Sequence, residues 1–169
     1  VDCFPVDLAI HGHCDRLAEE LEARGLRVDV LVNNAGIGLS GEFIEHATAE
    51  VLRLADLNMR VLTDLMHRYL PEMLARGGGG VLNVASLGGA LPGPYQAAYY
   101  ASKAYVISLT EAVAHEISGR GTRLSVVVPG PVATRFHDSM GAESALYTKV
   151  LGCMDPDVVA RAAYQGYRC

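Results

Sequence analysis

No apolar run in the 169-residue chain approaches the roughly 20 residues a membrane-spanning helix needs, which excludes a helical membrane span. No run of basic residues occurs either. The chain has 14 basic and 19 acidic side chains, and its net charge of −5 has the wrong sign for tracking a phosphate backbone, so no nucleic acid is expected as partner. No C-x-x-C pair is present. Cys3, Cys14, Cys153 and Cys169 are scattered, which argues against a disulfide framework and for reduced thiols in an intracellular, cytoplasmic protein. The run His11-Gly12-His13-Cys14 has the residue types of a metal site but lacks a second clustered pair of ligands, so no metal is expected there. The chain opens on Val1 without a basic-then-apolar signal segment, and Val1 is not expected to be a translation start.

Half of the residues are hydrophobic. A chain of this length suits one domain, which can bury about 70% of its unfolded surface without metal or disulfide staples. The apolar residues alternate between two periods. Val1 to Leu8 reads as a short strand or strand end. Leu17, Ala18 and Leu21 mark a helix from Cys14 to Arg24, with Gly25 as its stop. Val28–Asn33, Val81–Ser86 and Leu124–Val128 are near-continuous apolar runs, as strands buried on both faces are. Between them the spacing predicts helices over Thr48–Ala75 and Gln96–Ile117, and a last one from Pro156 to about Tyr164. Strands alternating with helices predict an α/β fold, a Rossmann-like parallel sheet with helices on both faces and right-handed crossovers. Ligands of such sheets bind at the carboxyl ends of the strands, so functional residues are expected just after Asn33, Ala85 and Val128.

Gly36 to Gly41, "GIGLSG", is a literal G-x-G-x-x-G after a predicted strand, with Asp56 about 20 residues on. Asp56 nonetheless falls inside a helical stretch, where a ribose-binding acid should end a strand. Thr48 is also a better helix start than Gly41. The preferred reading is a loop at a strand end that lies near a ligand without cradling phosphate. A different stretch, "AAYYASKAYV" from Ala97 to Val106, places Tyr99 four and Tyr100 three residues before Lys103. Either could share a helix face with the lysine, whereas Tyr105 points elsewhere.

Four stretches occur in order: "NNAG" (Asn33–Gly36), "NVAS" ending at Ser86, Tyr99-x-x-x-Lys103, and "PGPVAT" (Pro129–Thr134). With them the chain resembles the short-chain dehydrogenase/reductase family in its single-domain form, over nearly its whole length. The resemblance implies a carbonyl or alcohol oxidoreductase using NADP or NAD, with a lean toward NADP. It selects Tyr99 over Tyr100, because the family's serine precedes its tyrosine by about a dozen residues, as Ser86 precedes Tyr99. It implies Tyr99 as acid/base, Lys103 as its partner and a ribose contact, Ser86 holding the substrate oxygen, and Asn58 holding a relay water. It further implies cofactor contacts from Asp7, Asn33, Ala35, Gly36, Pro129, Gly130, Val132 and Thr134, although Asn33 as readily ties strands together. The chemistry needs these types. Moving a phenol from pKa about 10 to near 7 takes about 4 kcal/mol. An ammonium about 4 Å away supplies about that much at an effective dielectric near 20.

Phe136, Met140, Leu146 and Tyr147 match a variable substrate lid, faced by Leu87, Leu91, Pro92, Pro94 and Tyr95. Their apolar character implies a hydrophobic substrate. His137, close by, reads as a surface residue. The family's glycine-rich turn after its first strand has no counterpart. Residues 1–169 are therefore expected to be a piece of one such domain, lacking the first two strands and the last, with doubtful activity alone. A homodimer or homotetramer through the helices of Asn58 and Tyr99 is also implied. The alternatives are a nucleotide-sugar epimerase of the extended relatives and a non-catalytic binding protein built from a reductase.

Overall fold

Three apolar segments, Val30–Asn33 (β1), Gly80–Val84 (β2) and Arg123–Val127 (β3), pair in the order β1-β2-β3 with every strand parallel. Val30 stands opposite Gly80 and Gly80 opposite Arg123, so the carboxyl ends of all three strands lie level. The computed structural model describes residues 1–136, 140 and 152–168. Its helices are α1 (His13–Ala23), α2 (Thr48–Ala55), α3 (Leu62–Ala75), α4 (Ala97–Glu116) and α5 (Pro156–Arg168).

One face of the sheet carries Leu31, Val81, Leu124 and Val126. It packs against Leu62, Met66, Leu70 and Met73 of α3 and Val106 of α4. Parallel strands need such helical cover because their crossovers return over the sheet. On the opposite face α5 brings the buried Tyr167 against Gly80. A Cβ on Gly80 would lie 2.7 Å from the Tyr167 hydroxyl oxygen and 2.4 Å from the Arg123 carbonyl. Only glycine lets strand and helix meet there.

Within the core, polar side chains link sheet to helix. Asn33 Nδ2 donates to Asn83 Oδ1 (2.8 Å), and Asn83 Nδ2 donates to Thr110 Oγ1 (2.9 Å). The Thr110 hydroxyl donates to the Val106 carbonyl (2.6 Å). Asn83 is fully buried, so each partner depends on it. Asn83→Leu is expected to destabilise the protein by about 3 kcal/mol, since it orphans buried polar groups on both sides. Urea denaturation measures this, and an unchanged midpoint would contradict it.

The helix predicted over Thr48–Ala75 contains a π-helical turn, Asp56–Val61, between α2 and α3. Such turns often mark functional positions, and this one carries Asn58. The strand predicted at the start is corrected: the first seven residues have no regular structure, and a turn at Asp7–Ile10 leads into α1. A strand needs a neighbour to take its N–H and C=O groups, and no described strand lies beside this segment. β1 is also less buried than its apolar run suggests. Val30 and Val32 are 48% and 53% exposed, because α5, on the same face of the sheet, packs at β3 and not over β1. The last helix runs past Tyr164 to Arg168, and β2 ends at Val84, before Ser86.

Candidate active site

The carboxyl ends of the three strands meet the first turns of α4, and Lys103 sits at that junction. It is 6% exposed, and its Nζ donates to the Val84 carbonyl at 2.8 Å. Burial lowers its pKa from 10.5 to about 8, because the charged form loses water. Tyr99, one helical turn earlier, is also buried. Its ring centroid lies 5.8 Å from Lys103 Nζ and 5.4 Å from that of Phe136. Tyr100 points into its own chain. A Cβ on Gly93 would lie 2.3 Å from its ring and one on Gly88 3.2 Å, so two glycines shape a slot for it. Tyr105, on another face of α4, shares a hydrogen bond with Thr63 Oγ1 at 2.8 Å.

Asn58 reaches the site from the π-turn. Its Oδ1 accepts from the Ile37 N–H (2.9 Å), and its Nδ2 donates to the Ile37 carbonyl (2.9 Å) and to Ser102 Oγ (3.0 Å). A Cβ on Gly36 would lie 3.3 Å from Asn58 Oδ1 and 3.6 Å from Lys103 Nζ, so the loop after β1 lies directly over both. Ser86 is half-buried. It caps the short turn Leu87–Ala90, with Oγ accepting from the Gly88 N–H at 3.1 Å. A Cβ on Gly89 would lie 2.7 Å from the Lys103 backbone, which seats this turn on α4. The Leu87 N–H donates to the Pro129 carbonyl (2.9 Å), joining the ends of β2 and β3.

Lys103, Tyr99, Asn58, Gly36, the Ser86 turn and Pro129 thus converge at one end of the sheet. Other expected contacts do not converge there through their side chains. Asp7 is exposed in a turn, accepts from the Ala9 N–H, and pairs with Arg53 at 3.0 Å; that arginine holds its carboxyl below the usual range. The Asn33 side chain points into the sheet, toward Asn83. Ala35 is exposed at the end of β1, and a Cβ on Gly130 would meet nothing within 4 Å. Val132 bridges to Met154, and Thr134 Oγ1 accepts from the Phe136 N–H at 3.3 Å.

"GIGLSG" leads into a short turn, and the next helix begins at Thr48. Gly41 N–H donates to the Tyr95 carbonyl (2.8 Å), tying this loop to the one after β2, and Tyr95 itself holds a left-handed φ of 65°. Of the expected lid, Phe136 packs on Tyr99, and Met140 is buried against Gly38. Leu87, Leu91 and Tyr95 are 49%, 69% and 65% exposed. His137, Leu146 and Tyr147 lie outside the described residues. In the "HGHC" run, Cys14 is buried against Val61 and Leu65, while His13 Nδ1 lies 2.8 Å from the Asp7 carbonyl.

Ser102 and Thr110 are site or supporting residues that the motifs did not single out, and Asn83 opens the "NVAS" stretch without having been given a role. Ser102 stands three residues after Tyr99, and helical spacing alone could have flagged it.

Lys103 has three donors, of which one goes to Val84 O, so the remainder can meet a ribose hydroxyl beside Gly36. The residues therefore fit the nicotinamide-ribose half of a dinucleotide. Among the described residues no glycine-rich turn at a helix start offers a cradle for its diphosphate.

The profile of the family described as short chain dehydrogenase matches residues 1–145, and the chain belongs to that family. The ketoacyl reductase HetN of Nostoc sp. is 34% identical over 166 residues, 98% of this chain and 57% of that protein. The 3-oxoacyl-[acyl-carrier-protein] reductase FabG of Staphylococcus aureus is 31% identical, over 85% of this chain and 59% of that one. Among solved structures, the short-chain dehydrogenase from Sphingobium yanoikuyae in complex with NADPH superimposes with a TM-score of 0.86 at 27% identity. That match covers 96% of this chain and 62% of the other. The chain thus spans less than two thirds of the length of these relatives.

Proposed function

We propose that residues 1–169 belong to one Rossmann-like domain of an NAD(P)-dependent oxidoreductase that interconverts a hydrophobic carbonyl compound and its secondary alcohol. The observation that carries this reading is the buried Lys103 ammonium, set one helical turn from Tyr99 and directly under Gly36 and Asn58. A bound nicotinamide would supply or accept the hydride. Tyr99 moves the hydroxyl proton at the substrate oxygen, and Ser86 donates a hydrogen bond to that oxygen. Lys103 favours the Tyr99 phenolate through its charge, and its remaining N–H groups would hold the ribose. Asn58 keeps the loop after β1 against this floor. The exposed Leu87, Leu91 and Tyr95 offer apolar contact to the substrate. NADPH is the favoured cofactor, as in the complexed structural relative.

A non-catalytic binding role is the second reading, favoured by Asp7 pairing with Arg53 and Asn33 with Asn83 rather than facing the strand ends. Fluorescence titration of the purified protein with NADPH and NADH, followed by turnover with aromatic and long-chain ketones, separates the two. Saturable NADPH binding with ketone reduction is expected. Binding without turnover would favour the second reading, and no saturable binding of either dinucleotide would overturn the first.

A further inference from the structure

Ser102 is fully buried, immediately precedes Lys103 and is absent from the chemistry above. Its hydroxyl makes two contacts with opposite requirements. Oγ lies 2.7 Å from the Tyr99 carbonyl, which can only accept, so the single hydroxyl proton goes there. Only lone pairs then remain to face Asn58 Nδ2 at 3.0 Å. Both N–H groups of the Asn58 amide are satisfied as a result. Its Oδ1 takes the Ile37 N–H, and its two N–H bonds go to the Ile37 carbonyl and Ser102 Oγ. Rotating the amide by half a turn would set its NH2 against the Ile37 N–H and its oxygen against the Ile37 carbonyl. Ser102 thereby joins three segments that are remote in sequence: the Gly36–Ile37 loop, the π-turn and the Tyr99 turn of α4.

We propose that Ser102 is a positioning residue for this site, holding the Asn58 amide, and through it the Gly36–Ile37 loop, in register with Tyr99 and Lys103; its role in turnover rests on the carbonyl–alcohol reading above. Ser102 touches neither substrate nor cofactor and acts through Asn58. Deleting its oxygen leaves one buried Asn58 N–H without an acceptor and lets the π-turn and the loop shift relative to α4.

The test uses the full-length protein and two readouts. In Ser102→Ala, kcat for ketone reduction is expected to fall by about ten- to a hundredfold, with KM for the ketone little changed, since small misplacements act on the transition state. Because Ser102 acts through Asn58, Asn58→Ala and the Asn58→Ala/Ser102→Ala double variant should have the same kcat. Multiplying losses would overturn the proposal. The second readout needs no turnover. By NMR, one side-chain amide proton of Asn58 should exchange with solvent at least about tenfold faster in Ser102→Ala than in wild type, since it has lost its buried acceptor. Unchanged exchange would overturn the proposal even if the wild type reduced no ketone, an outcome that would separately sink the carbonyl–alcohol reading. Should Ser102→Ala fail to fold, Ser102→Thr keeps the hydroxyl and should retain kcat within about threefold. A larger loss would again overturn it.

Discussion

Lys103→Met is expected to abolish turnover and at the same time to stabilise the protein at neutral pH. The two effects share one cause. The lysine is 6% exposed, and burial lowers its pKa from 10.5 to about 8. At about 1.4 kcal/mol per pH unit, keeping the ammonium in the fold at pH 7 costs about 3 kcal/mol. Methionine fills similar space without charge. It leaves the Val84 carbonyl without its donor, which returns about 1 kcal/mol, so the net gain is about 2 kcal/mol. The sign follows from proton binding. Below pH 8 the lysine is protonated in both folded and unfolded states, and the whole cost is present. Between pH 8 and 10.5 the unfolded chain binds more protons, so wild-type stability rises with pH relative to the variant. Above that range both states are neutral and the cost is gone. Urea denaturation of both proteins at pH 7 and pH 10 reads this directly. A variant less stable than wild type at pH 7, or a stability difference that does not change with pH, would show that the lysine is not buried as charge. Turnover should fall by about a thousandfold, the scale of a lost acid–base function. A residue that costs stability and is needed for turnover is the expected mark of a site selected for activity.

The second large effect concerns the tyrosines. Tyr99→Phe is expected to lower kcat by about a thousandfold, because the Tyr99 phenol, whose ring lies 5.8 Å from Lys103 Nζ, is the group assigned to move the proton. The ring stays, so its packing on Phe136 and the Leu54–Met140 cluster stays too, and folding and NADPH binding should be close to wild type. Tyr100→Phe should leave kcat within about threefold, since the Tyr100 ring is seated against Gly88 and Gly93 and the variant keeps that packing. Steady-state kinetics on the two variants decides between them. Near-normal turnover in Tyr99→Phe with loss in Tyr100→Phe would reverse the assignment.

Several of these features were legible in the residues because they are local. The spacing of Tyr99 and Lys103 puts them on one helix face whatever the rest of the chain does. The apolar runs Val28–Asn33, Val81–Ser86 and Leu124–Val128 hold the parallel strands, which end at Asn33, Val84 and Val127, because length and apolar character both call for strands. The start of α2 at Thr48, rather than at the end of "GIGLSG", was also readable, since the glycines precede a stretch without helical periodicity. Other expectations depended on neighbours. The strand predicted at Val1–Leu8 does not form, because a strand's hydrogen bonds lie in another strand and none of the described ones is beside it. Val30 and Val32 look like core in the sequence and are half exposed in the fold for a related reason: α5 covers that face at β3 and not at β1.

The amino-acid sequence by itself determined the order of strands and helices, the helix face shared by Tyr99 and Lys103, and the glycines on which close approach depends, because these follow from spacing and from side-chain size. Only the tertiary structure decided that Asn58 and Ser102, 44 residues apart, meet at 3.0 Å. It also decided that Asn33 joins β1 to β2 rather than facing the carboxyl-end cleft, and that Lys103 is desolvated enough to lose part of its basicity. Burial and long-range hydrogen bonds are properties of what packs around a residue. That surrounding is assembled from distant segments, so no local pattern encodes it.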